Sequence, residues 1–445
     1  MLFLTHRVIV ALYVILPAAA MAGAVWHAAR TRRAGPISSL MMTFAAGFAI
    51  GLALSLVYAV GMGGRLIPFQ VVKAGYFATG LLLVLKGFDA VLRGLLARLA
   101  GLRDQTTQER ISDGNVGVVD YAPAPEAATV ARKHWLRAAF VGVARAAILF
   151  AVGLPYVMAA VLTYRAKVAP IDDPQTQLGY EFQRVEFDAT DGMPIVAWWI
   201  PAHRPRRGME RTPEWGRRTV VVCHGLAANK SNQLILARAF PPEGFNVLIF
   251  DLRAHGESGG QLTTFGDRER NDVLGAVRYL KAQRNGEAEK IFGVGASLGG
   301  AALIAAAADE SAEGQAIDAI AVYGTYDRLD GLTRSIANSY FFPPLRQLLV
   351  HLGLPLASVQ TGSNLQRFAP ADLVSRLWPR PILIIHGRRD EIIDFKHGEA
   401  LYESAVQPKY NYWIKEGTHN DIVNNETAAR FVAEFFKTAE PVPVI

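Results

Sequence analysis

The pattern of apolar and charged positions changes near residue 166. Before that point the chain contains long runs with little or no charge, and about 20 apolar helical residues are enough to cross a bilayer core of about 30 Å. Buried core helices are the alternative, but runs of this length are more typical of membrane spans. The pattern predicts four transmembrane helices, over 8–26, 40–62, 66–85 and 146–164.

Basic residues around these runs predict their orientation. Arg30, Arg32 and Arg33 follow the first run, whereas only Arg7 precedes it, and positive charge favours the cytoplasmic side. We therefore expect an uncleaved first helix rather than a signal peptide, although small residues near its end are a competing feature. With four spans, the basic loop 86–145 lies in the cytoplasm and the rest of the chain emerges outside. This predicts an integral protein of a bacterial inner membrane with a periplasmic second domain.

From residue 166 onward, short β-branched runs alternate with amphipathic ones. Near-continuous apolar runs indicate strands covered on both faces, and their alternation with helices predicts a mostly parallel sheet between two helical layers. Asp191-Gly192, between two alternating runs in 180–202, predicts a hairpin. We expect a membrane region over 1–165 and an α/β domain over 166–445. The strand-forming runs are RTVVVCHG (218–225), FNVLIFDLRAHG (245–256), KIFGVGAS (290–297), AIDAIAVYGTY (316–326), RPILIIHGRRD (380–390) and KYNYWIKEGTH (409–419).

Two segments match the G-x-S-x-G pattern of a nucleophilic serine, one centred on Ser258 and one on Ser297. A nucleophile elbow requires a strand, a tight turn and a helix, because the serine is held at positive φ above the sheet. Ser297 lies between an apolar strand and an alanine-rich helix, whereas no helical pattern follows Ser258. The context therefore assigns the nucleophile to Ser297.

A serine hydroxyl needs a general base, usually an imidazole oriented by a carboxylate. His419 follows the last predicted strand and lies downstream of every other histidine. Its partner should end a strand between Ser297 and His419, and Asp390 does so, while Asp394 is four residues farther along. The predicted triad is Ser297, Asp390 and His419, in the chain order of hydrolases with a nucleophile elbow.

Five segments in this order resemble the α/β-hydrolase superfamily, over about residues 178–440. Its serine aminopeptidase-like and esterase-like branch is the most similar, including membrane-anchored acyl-ester and acyl-protein hydrolases. The segments are HGLAANK (224–230), DLRAHGESGG (251–260), GVGASLGG (293–300), HGRRDEII (386–393) and GTHND (417–421).

The resemblance implies an α/β-hydrolase fold preceded by transmembrane helices, with an inserted cap at about 331–372. It also implies that the backbone N–H groups of Leu298 and Leu226 form an oxyanion hole, and that Ser258 is a turn residue. Asp394 departs from the family pattern, which often has Pro at that position.

Other classes of function are less well matched by the sequence. A zinc site built from His224, His255, His386 and His419 lacks the usual ligand spacing, so we expect neither a metal nor a cofactor. GVGASLGG does not fit a dinucleotide loop, because Leu298 occupies the place of its third glycine. The net charge of +7 is explained largely by membrane orientation, no basic-aromatic pattern indicates nucleic acid, and one cysteine excludes an intrachain disulfide.

The expected function is that of a membrane-anchored serine hydrolase acting on acyl esters or thioesters, including lipids. A serine peptidase acting on amides is one alternative, and a non-catalytic membrane scaffold is another. The apolar stretch 339–357 within the predicted cap supplies Tyr340, Phe341 and Phe342 as candidate substrate contacts. An ordinary packing helix pair is the alternative for this stretch.

Overall fold

The computed structural model describes residues 153–164, 167–204, 212–340, 343–420 and 425–439, together with a few earlier residues (43, 46, 47, 79, 80, 82, 83, 86, 140–144 and 147). The chain divides into two compact units, Met1–Leu154 and Pro155–Ile445. The predicted span 8–26 lies outside the described residues, as do nearly all of 40–62 and 66–85 and the first part of 146–164. Among the described residues, no helix is both long and apolar enough to cross a bilayer.

The described residues of the first unit include one close contact between two predicted spans. Gly47 lies so near Thr79 that a Cβ built on Gly47 would stand 2.6 Å from the Thr79 Cα. Lys86 Nζ donates a hydrogen bond to Thr43 Oγ1. A small residue at such a point allows two backbones to approach closely.

The second unit is built on one eight-stranded sheet, as the alternating pattern predicts. Its order is β1-β2-β4-β3-β5-β6-β7-β8; β1 and β2 run antiparallel to their neighbours, and all other pairs are parallel. The strands are β1 (Gln183–Asp188), β2 (Pro194–Ile200), β3 (Arg218–Cys223), β4 (Phe245–Phe250), β5 (Lys290–Ala296), β6 (Ile317–Tyr323), β7 (Ile382–Gly387) and β8 (Lys409–Ile414).

Helices cover both faces of this sheet. They are α1 (Leu154–Thr163), α2 (Pro174–Leu178), α3 (Leu234–Ala237), α4 (Arg270–Gln283), α5 (Leu298–Ala307), α6 (Ala312–Gln315), α7 (Leu329–Tyr340), α8 (Pro343–Thr361), α9 (Pro370–Leu373), α10 (Phe395–Ser404) and α11 (Glu426–Thr438). Short 3₁₀ turns lie at Lys230–Gln233, Pro241–Glu243, Asn285–Glu287 and Val374–Leu377.

The apolar side chains form one core on each face. Helices α4 and α5 contribute to the first core, and α3 and α11 to the second. Trp199 is buried in the first core and its neighbour Trp198 in the second, as successive residues of a strand require. Both tryptophans therefore act in packing. Helices α7 and α8 occupy most of the segment where a cap was predicted.

The segment that precedes β1 lies on the second unit rather than apart from it. Thr263 N donates to Thr163 O at 2.8 Å, and Tyr164 forms an antiparallel bridge with Leu262. Gln360 of α8 donates through Nε2 to the Tyr156 carbonyl at 3.2 Å. The end of α1 is thus attached both to the loop after β4 and to α8.

A buried histidine organises the turn after β3. His224 Nε2 accepts from the Leu252 N–H at 3.0 Å, and its Nδ1 lies 2.7 Å from the Gly225 carbonyl, to which it donates. Burial, followed by the neighbouring His255, lowers the pKa of His224 from 6.5 to about 3. The ring therefore remains neutral at ordinary pH and links the loop after β3 to the loop after β4.

We predict that His224 makes the fold acid-sensitive. Between pH 6.5 and about 3 the unfolded chain binds a proton at this residue and the folded chain does not, so stability falls as the pH drops through that window. Relative to His224→Asn, the wild-type free energy of unfolding should decline by about 1.4 kcal/mol per pH unit below pH 6. Urea titrations of the full chain, followed by tryptophan fluorescence, measure this. The same substitution at exposed His351 is the control, and parallel wild-type and His224→Asn curves would contradict the prediction.

Candidate active site

Ser297 occupies a strained turn between β5 and α5. Its backbone angles are φ 49° and ψ −114°, in a region that side-chain-bearing residues rarely adopt. The turn is held by a hydrogen bond from Ser297 N to the Tyr323 carbonyl at 2.9 Å and by the first helical bond, from Ala301 N to Ser297 O, at 3.1 Å. The half-buried side chain therefore stands at the carboxyl edge of the sheet, in front of a helix N-terminus.

Two glycines allow this turn to be so tight. A Cβ on Gly295 would lie 2.6 Å from the Gly299 carbonyl oxygen, and a Cβ on Gly299 would lie 2.4 Å from the His224 carbonyl oxygen. Neither neighbour is a flexible side chain, so any larger residue would force α5 away from the sheet. The G-x-S-x-G pattern at Ser297 is thus explained by backbone packing.

Asp390 and His419 form a hydrogen-bonded pair at the same edge. His419 Nδ1 lies 2.7 Å from Asp390 Oδ2, and Oδ1 accepts from the N–H groups of Ile392 and Ile393 at 3.0 and 2.8 Å. Burial alone would raise the pKa of the Asp390 carboxyl, but its contacts with the His386 and His419 side chains and the hydrogen bond from the Ile393 N–H outweigh this effect and hold that pKa well below its usual range. The carboxylate is therefore ionised and positioned to orient His419.

The turn after β6 brings the predicted triad together. Tyr323 O accepts the Ser297 N–H, and the next residue, Gly324, lies against the other two members. A Cβ on Gly324 would stand 3.2 Å from His419 Nδ1 and 3.6 Å from Asp390 Oδ2. The three side chains, which come from three different strand ends, thus surround one turn.

The two predicted oxyanion donors also lie beside Ser297. Leu298 is the first residue of α5, and Leu226 belongs to the turn after β3. In that turn, a Cβ built on Gly225 would lie 3.5 Å from the Ser297 Cβ. Within the part of the chain that the structure describes, neither N–H has an acceptor. Two free donors beside the serine provide what a developing oxyanion requires.

A second histidine fixes the Leu226 turn. His255 accepts the Ala227 N–H through Nε2 at 3.3 Å and donates through Nδ1 to the Arg253 carbonyl at 2.9 Å. Ala227 has φ 58°, so its backbone requires such support. His255 and His224 rings pack edge to face at 5.0 Å. In the sequence, each of these histidines belongs to a His-Gly dipeptide after a strand-forming run, but that dipeptide does not indicate which backbone groups the ring binds.

Ser258 has a structural position. Its hydroxyl is fully buried, accepts from the Val196 N–H at 2.9 Å and donates to the Asp251 carbonyl at 2.5 Å. The Ser258 hydroxyl thus donates one hydrogen bond and accepts another within the fold. The first G-x-S-x-G match therefore does not supply an exposed hydroxyl.

The remaining predicted residues are placed as follows. The Tyr340 side chain and both Phe341 and Phe342 lie outside the described residues. Asp394, at the position where the family often has Pro, caps α10 by accepting the Lys396 N–H at 3.0 Å. Among the described residues, no three His, Cys, Asp or Glu side chains are arranged to hold a metal ion.

Similarity to known proteins agrees with this architecture. The family model for the alpha/beta hydrolase fold matches residues 218–352. YqkD of Bacillus subtilis is 29% identical over 261 residues, which cover 56% of this chain and 81% of YqkD. YfhR of Escherichia coli K12 is 28% identical over 239 residues, covering 54% of this chain and 74% of YfhR.

Among solved structures, the Pyrococcus furiosus esterase Pf2001 aligns with a TM-score of 0.49 at 24% identity, covering 63% of this chain and 98% of that one. The mostly parallel sheet, with a strand, a strained serine and a helix at its carboxyl edge, is the arrangement expected for the matched family. Together, the family match over residues 218–352 and the sheet confirm the predicted α/β-hydrolase fold.

Proposed function

We propose that this protein is a membrane-anchored serine hydrolase that cleaves acyl ester or thioester bonds through Ser297, His419 and Asp390. The main support is one observation. The strained Ser297 turn and the hydrogen-bonded His419–Asp390 pair meet at Tyr323-Gly324, beside two backbone N–H groups without acceptors in the described chain. Backbone strain such as the φ of 49° at Ser297 is frequent at active sites.

The proposed reaction has two halves. His419 Nε2 takes the hydroxyl proton as Ser297 Oγ attacks the acyl carbonyl carbon, and the N–H groups of Leu298 and Leu226 bind the oxyanion. The intermediate collapses to an acyl-serine, and the alcohol or thiol leaves with the proton from His419. Water then gives a proton to His419 and attacks the acyl-serine. As the carboxylic acid is released, His419 returns that proton to Ser297 Oγ.

The substrate class is inferred from helix α8, which lies within the predicted cap. Helix α8 is almost without charge, apart from Arg346 and His351, and its Leu354 and Ala357 share a core with Ala159 of α1. Val359 is 80% exposed near the end of the same helix. An apolar cap attached to the segment that precedes the domain favours acyl chains, including those of lipids, over polar peptides. Tyr340, Phe341 and Phe342 are proposed to line the acyl pocket.

The proposed anchor consists of four spans, over 8–26, 40–62, 66–85 and 146–164. The apolar runs and the arginines after the first of them support this arrangement. It puts the catalytic domain on the periplasmic face of a bacterial inner membrane, with acyl esters of the bilayer within reach.

The first prediction concerns the nucleophile. Ser297→Ala should lower kcat by on the order of 10⁴-fold or more, because no acyl-enzyme can form. A fluorophosphonate probe should label the wild type and Ser258→Ala but not Ser297→Ala. Labelling lost in Ser258→Ala and kept in Ser297→Ala would reverse the assignment. A wild type that takes no label would favour the non-catalytic scaffold.

The second prediction concerns the acyl group. The value of kcat/KM for p-nitrophenyl esters should rise with chain length, by up to about fourfold for each methylene that becomes buried, since burial of a CH₂ is worth about 0.8 kcal/mol. The same enzyme preparation is tested with aminoacyl p-nitroanilides. A preference for the anilides would replace the esterase by the peptidase alternative.

The third prediction concerns topology. Alkaline phosphatase fused after Ile445 should be active, and green fluorescent protein fused there should be dark, because four spans place the C-terminus outside. Fusions after Asp120, in the basic loop, should give the opposite pair of results. Fluorescence without phosphatase activity at Ile445 would refute the four-span anchor.

A further inference from the structure

His386 lies beside the predicted triad but is not one of its members. His386 is fully buried in β7, four residues before Asp390. Its Nε2 lies 2.9 Å from the Ile393 carbonyl oxygen and 3.4 Å from Asp390 Oδ2. The shorter distance is the principal hydrogen bond, and the longer one is a secondary electrostatic contact.

These distances determine the tautomer of His386. The Ile393 carbonyl is only an acceptor, so Nε2 must bear the hydrogen. The other nitrogen, Nδ1, is buried and has no hydrogen-bond partner in the described chain. A leucine or phenylalanine would fill the same space without an unpaired nitrogen. The unpaired Nδ1 of the histidine lowers the stability of the folded state. The benefit of a histidine must therefore come from the Nε2–H.

The Nε2–H acts on the loop that holds the catalytic carboxylate. Ile392 and Ile393 donate their N–H groups to Asp390 Oδ1, and His386 binds the carbonyl of the same Ile393. The loop is thus fixed from both sides. His386 Nε2 also lies 3.4 Å from Oδ2, the oxygen that His419 Nδ1 approaches to 2.7 Å.

We propose that His386 is a positioning residue for the hydrolytic reaction, whose Nε2–H fixes the Asp390 carboxylate through Ile393 and shares Oδ2 with His419. This inference rests on the proposed function, because it assumes that Asp390 orients His419 as the general base. His386 touches neither substrate nor serine, and it acts through Asp390.

One effect follows when this N–H is lost. The carboxylate is less firmly held, so His419 is less well directed at Ser297, and displacements of about 1 Å can cost on the order of 10²-fold in rate. Other charged groups nearby, Arg388 over the Phe395 ring and the exposed Arg389–Glu416 pair, remain in place.

The test compares His386→Gln with His386→Asn, because the two side chains place their amide groups at different distances from Ile393. Gln at position 386 places an N–H near the position of the histidine Nε2, whereas Asn places it too far from Ile393. Relative to wild type, His386→Asn and His386→Leu should lower kcat between tenfold and a hundredfold with KM within twofold. His386→Gln should recover most of kcat.

A variant that leaves His386 intact gives an independent measurement. A Cβ on Gly398 would lie 2.5 Å from His386 Nδ1, so Gly398→Ala should displace the ring and lower kcat in the same way. All rates are expressed per active site titrated with the fluorophosphonate, so that unfolded protein is not counted. Equal per-site kcat in the Asn variant, or a Gln variant as slow as the Asn variant, would show a purely structural role and overturn the proposal. Failure of the proposed function itself would be seen separately, as a wild type that takes no label.

Discussion

The close approach of α5 to the end of β3 is the constraint on which the candidate site depends. Gly299 lies against the carbonyl groups of Cys223 and His224, where a side chain has no room. This contact fixes the first turn of α5 and, with it, Ser297 and the N–H of Leu298. It also sets the distance to the turn that contains Leu226. A single backbone contact therefore places the serine and both candidate donors at one point.

The loops around that point are held by buried polar groups rather than by apolar packing alone. Asp251 accepts the N–H groups of Lys230 and Glu257 at 2.7 and 2.9 Å, and Lys230 Nζ lies 2.5 Å from Asp251 and 2.6 Å from Glu257. Trp198 covers the same ammonium group at 4.7 Å. Removing the charges of Lys230 and Asp251 from water costs free energy. Their ion pair is therefore better understood as a determinant of loop geometry than as a source of net stability.

The sequence was sufficient for the sheet and for the relative placement of the predicted triad, because apolar runs and strand ends are local features. The Ser297 elbow follows from that pattern. The roles of His255 and His386 could not be predicted from the sequence. Both act through backbone groups, the N–H of Ala227 and the carbonyl of Ile393, which only folding brings near. The predicted spans fall mostly outside the described residues, and the structure leaves them as predictions.

The attachment of α1 to the domain has a consequence for how the protein can be divided. The contact units separate after Leu154, not before β1, and Thr163 and Tyr164 bond to Thr263 and Leu262. A fragment that begins at the first strand would lack the Thr163 and Tyr156 carbonyls, which accept from the Thr263 N–H and the Gln360 amide. A fragment that keeps Pro155 onward preserves them, at the expense of an apolar helix at its new N-terminus.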